Sequence, residues 1–200
     1  MTSTSISPTA INPAYVSEFI SRFEQLSGKV YRCSGGAQAV ALIERIIAER
    51  SQGKCYFAKD VLELIEETKE RRSGSVNIIR SAVMYNPQSD TDGLEIIKQA
   101  DIGITTADFA IAETGCLVEI AYDDSTKLLS SLSRVHIVLL RATKILGSLQ
   151  ELAPILRSML SKGDKPTVTL ISGPSRTSDI EMKSVLGVHG PHEVHAILLE

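Results

Sequence analysis

The chain contains no tryptophan, and its five tyrosines and four phenylalanines hold aromatic content to 4% of 200 residues. Single-stranded nucleic acid is gripped by stacking bases on aromatic platforms, and here such platforms are scarce. A dense basic stripe is missing as well. Twenty-one Lys and Arg stand against 24 Asp and Glu, the net charge is -3, and only Arg71–Arg72 are adjacent. A phosphate backbone demands a more concentrated positive face, so no nucleic acid is expected as a partner.

Cysteine is sparse too. Cys33, Cys55 and Cys116 are odd in number and form no CxxC pair. That argues against a disulfide framework and against a zinc or iron–sulfur cradle, so no metal and no cofactor is expected. Apolar runs are short: "VHIVLL" falls far below the roughly 20 residues that span a bilayer. The opening "MTSTSISPTAINP" has neither the basic nor the apolar region of a secretory signal. These absences together predict a cytoplasmic chain with reduced thiols and no membrane span.

The remaining composition, 43% hydrophobic and 22% charged, is that of an ordinary globular protein. Two hundred residues suffice for one core without metal or disulfide staples. Residues 1–11 are Ser/Thr-rich and read as a flexible N-terminus, and 12–200 read as a single domain. Asn12–Pro13 offers an N-cap followed by Pro at the first helical position. Tyr15, Phe19, Phe23 and Leu26 then recur at helical spacing. "KVYRC" and "KCYFA" read as strands, "GAQAVALIERIIAERSQG" as a helix closed by Gly53, and "DVLELIEETKERR" as another helix. Between 74 and 100 the pattern fades, with Asp92 a candidate cap for "LEIIKQA". Then "DIGITT", "GCLVEIAY", "VHIVLL", "TVTLIS" and "VHAILL" read as strands. "STKLLSSL" and "SLQELAPILRSMLSKG" read as helices, the latter holding Pro154. Val-, Ile- and Leu-rich strands alternating with helices predict an α/β fold with a mostly parallel sheet flanked by helices.

Three segments could carry chemistry. "LISGPSRTSDIE" should leave a strand and turn towards a helix, where free N–H groups and the dipole favour an anion. Gly173 permits close backbone approach, Ser172, Ser175, Thr177 and Ser178 add hydroxyls, and Arg176 suits a carboxylate or phosphate. A structural reading competes, because Ser178-Asp-Ile-Glu181 has the form of a capping box and Arg176 can pair with Asp179.

In "DIGITTADFAIAETGCLVEIA", Asp108 and Glu113 stand in the crossing between two apolar strands. A desolvated Glu113 beside Thr114–Gly115 would have a raised pKa and could serve as general base or nucleophile. Alternatively it accepts backbone N–H bonds and fixes the turn, and Asp108 is a cap. In "LGVHGPHEVHAILL", Gly190–Pro191 forbids the helix that would align His189, His192 and His195. In an extended segment His192 and His195 face opposite sides, which excludes a shared metal. His189, in a turn between glycines, could reach a ligand, against the competing reading of a hydrogen-bonded turn histidine. His136, inside an apolar strand, reads as a satisfied core histidine.

Taken together, "GITTADFAIAETG", "HIVLL", "LISGPSRTSDIE" and "LGVHGPHEVHAILL" resemble the LUD-domain family, typified by lactate utilization protein C. Order and spacing agree over roughly residues 95–200. The resemblance implies an α/β domain related to the sugar-isomerase and CoA-transferase-like folds. It also implies a cytoplasmic accessory or regulatory role in oxidising L-lactate to pyruvate, beside partner proteins that carry iron–sulfur clusters. The candidate ligand positions, for a small anionic metabolite, are Thr114, Gly115, Ser172, Gly173, Pro174, Ser175, Arg176, Thr177, Asp179, His189 and Gly190. Glu113 is the candidate catalytic group if the chain is instead an enzyme of CoA-transferase or sugar-isomerase type, acting on an acyl or phosphorylated substrate. Two departures stand out: Thr114-Gly115-Cys116 replaces the family's usual Thr-Gly-Thr, and Leu132-Ser133 its usual Leu-Pro.

Overall fold

The computed structural model describes residues 10–50, 53–67, 82–84, 99–122, 124–161, 163, 165–178, 184–186 and 190–200. For 124, 125, 176–178 and 184–186 the description is of the backbone. Residues 1–9, the tail of "DVLELIEETKERR" and most of 74–100, Asp92 included, lie outside it, as do Asp179 and His189.

The first helix forms as its spacing dictates. α1 (Pro13–Gln25) is capped by Asn12, whose side chain accepts from the Ala14 N–H at 3.0 Å, and Pro13 loses no hydrogen bond at N1. Its Val16, Phe19 and Phe23 are buried, with the two phenylalanine rings stacked at 5.4 Å. β1 (Lys29–Cys33) and α2 (Gly36–Ala48) follow. The second helix closes at Ala48, short of Gly53. Gly53 serves a different contact: a Cβ there would meet the Asp101 Cβ at 2.8 Å. That close approach lets the Asp101 carboxylate accept from the Lys54 N–H at 3.0 Å.

β2 (Cys55–Phe57), α3 (Lys59–Glu67), β3 (Val83–Met84) and β4 (Ile102–Thr106) come next. Then follow β5 (Phe109–Ile111), β6 (Cys116–Ala121), α4 (Asp124–Leu132), β7 (Val135–Arg141) and β8 (Ile145–Leu146). The described chain ends with α5 (Leu149–Ser161), β9 (Thr167–Ile171), β10 (Arg176–Ser178), β11 (Ser184–Leu186) and β12 (Glu193–Leu199). Pro154 lies inside α5, as its sequence position requires.

The expected α/β architecture holds. Six strands in the order β1-β12-β7-β4-β2-β3 form a sheet in which every pairing is parallel. Such strands are covered on both faces, and their side chains divide accordingly. Ile137 and Leu139 of β7 join a core with α2 and α3, while Val138 and Leu140 join one with α1.

A second sheet, β8-β5-β6-β9, was not legible as such. Its short members "FAI" and "IL" carry too few residues for a period to show. The run "TVTLIS" belongs to this sheet and not to the main one, pairing antiparallel with β6. One face of the second sheet supplies Ala110 and Leu117 to the α1 core, and the other packs Phe109, Ile111 and Val118 near Leu152 and Leu156 of α5. α1 is therefore gripped between the two sheets. Among the described residues no helix is long and apolar enough to cross a membrane.

Candidate functional site

The turn that follows β5 is built by backbone bonds on both sides. Ala112 N–H donates to the Leu146 carbonyl at 2.8 Å, Glu113 N–H to Gly147 at 3.1 Å, and Gly115 N–H to Ile111 at 2.9 Å. Glu113 is solvent-exposed, and its Oε1 accepts from the Leu149 N–H at 2.7 Å. Its carboxylate thus caps the first turn of α5, where an anion is favoured. The desolvation expected of Glu113 is absent because its side chain points out over a helix start. Asp108 also takes a backbone donor, the Ile120 N–H at 2.7 Å.

Gly115, at φ 65°, brings this turn onto the last turn of α1. A Cβ there would stand 2.6 Å from the Arg22 Cβ and 2.8 Å from the Phe23 nitrogen. Thr114 is exposed, and Cys116 places its Sγ 3.1 Å from the Ser172 Oγ. Gly173, at φ 121°, approaches the same helix end: its Cβ would lie 2.7 Å from the Leu26 carbonyl oxygen. Pro174 is buried, the Ser175 N–H donates to the Pro191 carbonyl at 2.8 Å, and a Cβ on Gly190 would meet Ser175 at 3.0 Å. Glu113–Cys116, Ser172–Ser175 and Gly190–Pro191, far apart in sequence, converge here.

Two features of the sequence reading need correction. The chain beyond Ser175 does not enter a helix: Arg176–Ser178 forms β10 and pairs antiparallel with Ser184–Leu186. Ser178 is therefore a strand residue opposite Ser184, and among the described residues the helix end that meets the loop is the carboxyl end of α1, at Leu26. The loop also packs against Gly190–Pro191, which lead into the amino end of β12, and not at the carboxyl ends of the parallel strands. Thr177 shares β10 with Arg176, whereas Asp179 and His189 are outside the described residues. What the sequence reading missed is Arg22. It is exposed in the last turn of α1, with its Cβ directly beside the Gly115 turn, on an element about ninety residues earlier in the chain. Nothing in its local sequence sets it apart from any other polar-face arginine.

A buried carboxylate in this region that was also missed is Glu119. It is 1% exposed, accepting from Ser130 Oγ at 2.9 Å and from Thr105 Oγ1 at 3.3 Å. Burial pushes its pKa up to about 7, against the opposing pull of those two hydroxyls. Thr105 Oγ1 also lies 2.8 Å from His136 Nε2, and burial pushes that imidazole down to about 3, which keeps it neutral. His136 is thus only half satisfied, since its Nδ1 has no partner. The signal available was an acidic residue inside the apolar run "CLVEIA".

His192, just before β12, is exposed, and His195, within the strand, is buried. His195 lies 3.2 Å from the Tyr31 hydroxyl and 3.1 Å from the Glu193 carboxylate, and burial lowers its pKa to about 4. Among the described residues no group of three or more His, Cys, Asp or Glu is arranged to hold a metal ion.

A parallel sheet doubled by a small mixed one, with α1 clasped between them, defines the class of α/β domain. A sequence model of the LUD domain matches residues 16–199, and the chain belongs to the LUD domain family. Lactate utilization protein C of Shouchella clausii is 29% identical over 60% of this chain and 53% of its own length. That of Exiguobacterium is 36% identical over 52% and 46%. The uncharacterized protein YkgG of Escherichia coli K12 is 30% identical over 60% of this chain and 53% of its own. The chain thus spans about half the length of these curated relatives. A crystal structure of a DUF162 family protein from Deinococcus radiodurans shares the fold, with a TM-score of 0.59 at 16% identity. The superposition covers 93% of this chain and 96% of that one.

Proposed function

We propose that this chain serves L-lactate utilization in the cytoplasm as an accessory or regulatory protein. In this reading it binds a small anionic metabolite and works beside iron–sulfur partner proteins that oxidise lactate to pyruvate. The relatives named lactate utilization protein C support the process. The convergence of Glu113–Cys116, Ser172–Ser175 and Gly190–Pro191 supports the binding surface, because it gathers the resembling segments beside the exposed Arg22. Arg22 and Arg176 would take the carboxylate, with hydroxyl and backbone donors from Ser172 and Gly173 sharing its charge.

Thermal melting with L-lactate, pyruvate and inorganic phosphate tests this. A ligand present at about a hundred times its Kd adds about 2.7 kcal/mol of stability. Arg22→Ala and Arg176→Ala should each weaken that gain while leaving the ligand-free melt unchanged. No gain with any of the three anions would leave the surface as a contact face for protein partners only.

A second reading, an enzyme of CoA-transferase or sugar-isomerase type, is favoured by one observation: Glu113 keeps an exposed carboxylate at this surface, steadied by the Leu149 N–H. Turnover of an acyl-CoA or sugar phosphate that disappears in Glu113→Gln, with anion binding retained, would establish it.

A further inference from the structure

The second sheet ends on β9, which pairs with β6 on one side and with no other described strand on its second side. A free edge is a row of unused backbone donors and acceptors, and proteins blunt such edges with charge, proline or short length. The other described edges of the two larger sheets follow that rule. β1 carries the exposed Lys29 and Arg32, and β3 and β8 have two residues each. β9 does not. Thr167-Val168-Thr169-Leu170-Ile171 holds neither charge nor proline and is rich in β-branched residues that favour strands.

One face of this edge is apolar and open. Residues directly opposite in an antiparallel ladder share a face. Leu170 stands opposite Val118, and Val168 opposite Ile120. Val118 and Ile120 are buried in a cluster with Leu152 of α5, against which Leu156 also packs. Val168 and Leu170 are left 37% and 48% exposed on the same face. Leu160, in the last turn of α5, is exposed as well.

The order of residues makes the edge complementary to itself, as a two-fold interface requires. When two copies of β9 run antiparallel about an axis through Thr169, Val168 of each faces Leu170 of the other. Threonine then faces threonine, and both kinds of cross-strand pair are favourable. The four apolar side chains form one strip on the face that carries both α5 helices. The same register sets Lys165 across from Gly173, so no like charges meet. A strand from an unrelated protein would use the backbone edge alone and would not require this palindromic pattern.

We propose that β9 is a homodimer interface, at which two copies of this chain join edge to edge and two four-stranded sheets become one of eight strands. A single strand pair with its apolar strip falls at the small end of specific interfaces, below about 1,200 Å². The dissociation constant is therefore expected to be on the order of 10–100 µM.

Sedimentation velocity of the full chain from about 5 µM to about 1 mM reads this association. The mass should move from that of one chain to that of two, with its midpoint in the stated range. Val168→Glu and Leu170→Lys, each alone, should raise the midpoint at least about tenfold, because each sets an unmatched charge in the strip. Mixed in equal amounts, the two variants should associate again, since the new carboxylate of one faces the new ammonium of the other. Recovery on mixing also shows that both variants kept their fold. A chain that stays single up to about 1 mM overturns the proposal and leaves β9 to a strand of a different protein. A dimer that both substitutions leave intact, or an association that mixing does not restore, overturns it equally.

Discussion

Gly115→Ala is expected to lower the free energy of unfolding by about 3 kcal/mol, and Gly163→Ala by only about 1 kcal/mol. Both glycines have positive φ, 65° and 87°, so both substitutions place an L side chain in the left-handed region. Only Gly115 is crowded. Its new methyl would lie 2.8 Å from the Arg22 carbonyl carbon and the Phe23 nitrogen, whereas nothing lies within 4 Å at Gly163. Those neighbours are helix backbone, which cannot rotate aside, so the turn must lift from α1 or the helix must shift. Overpacking of that kind costs about 1–3 kcal/mol beyond the conformational strain. Urea denaturation of both variants reads the difference. Equal losses would mean that α1 does not clasp the turn, and the convergence of the three segments would lose its anchor.

Glu119→Gln should change how stability depends on pH by about 3 kcal/mol between pH 4.5 and 7. The folded pKa of Glu119 is raised, from 4.5 to about 7. Its contribution is therefore fully present below pH 4.5 and is lost as pH rises through 7. His136 and His195 act in the opposite sense. Their folded pKa values fall from 6.5 to about 3 and about 4, so their contribution is complete above pH 6.5 and is lost on acidification. Between pH 4.5 and 6.5 these histidines bind protons mainly when unfolded, whereas Glu119 binds one mainly when folded. Removing that Glu119 proton with Gln should add about 1.4 kcal/mol per pH unit to the upward slope of stability with pH. Chemical denaturation across this range distinguishes the outcomes. Parallel curves for the two proteins would show that Glu119 ionises as freely when folded as when unfolded.

The sequence carried the central strands of the main sheet well, because β7 and β12 are near-continuous apolar runs, but β3, two exposed residues at the sheet's edge, falls where the pattern fades. α1 was legible down to its cap, since Asn12, Pro13, Phe19 and Phe23 all act locally. The second sheet was not. β5 and β8 hold three and two residues, and β9 resembles a main-sheet strand in composition while pairing antiparallel with β6. For the candidate site, the turns at Glu113–Gly115 and Ser172–Ser175 were visible through their glycines and hydroxyls. Their partner was not: Arg22 reaches them only because two sheets close around α1. Burial was misassigned for a related reason. Glu113 and Glu119 both sit in apolar surroundings in sequence, but strand alternation turns Glu119 inward towards Thr105, while Glu113 lies at a turn facing the start of α5. At Ser178 the backbone pairs with Ser184, while the rest of the capping-box stretch, 179–181, lies outside the described residues.

The most direct test of the central claim is a titration of the isotopically labelled chain with pyruvate, followed through its backbone amide resonances. The account predicts saturable shifts at Thr114, Gly115, Ser172, Gly173, Ser175 and Gly190, all with one dissociation constant, and their loss in Arg22→Ala. Shifts that appear in only one of the three segments, or that persist unchanged without the Arg22 guanidinium, would contradict it.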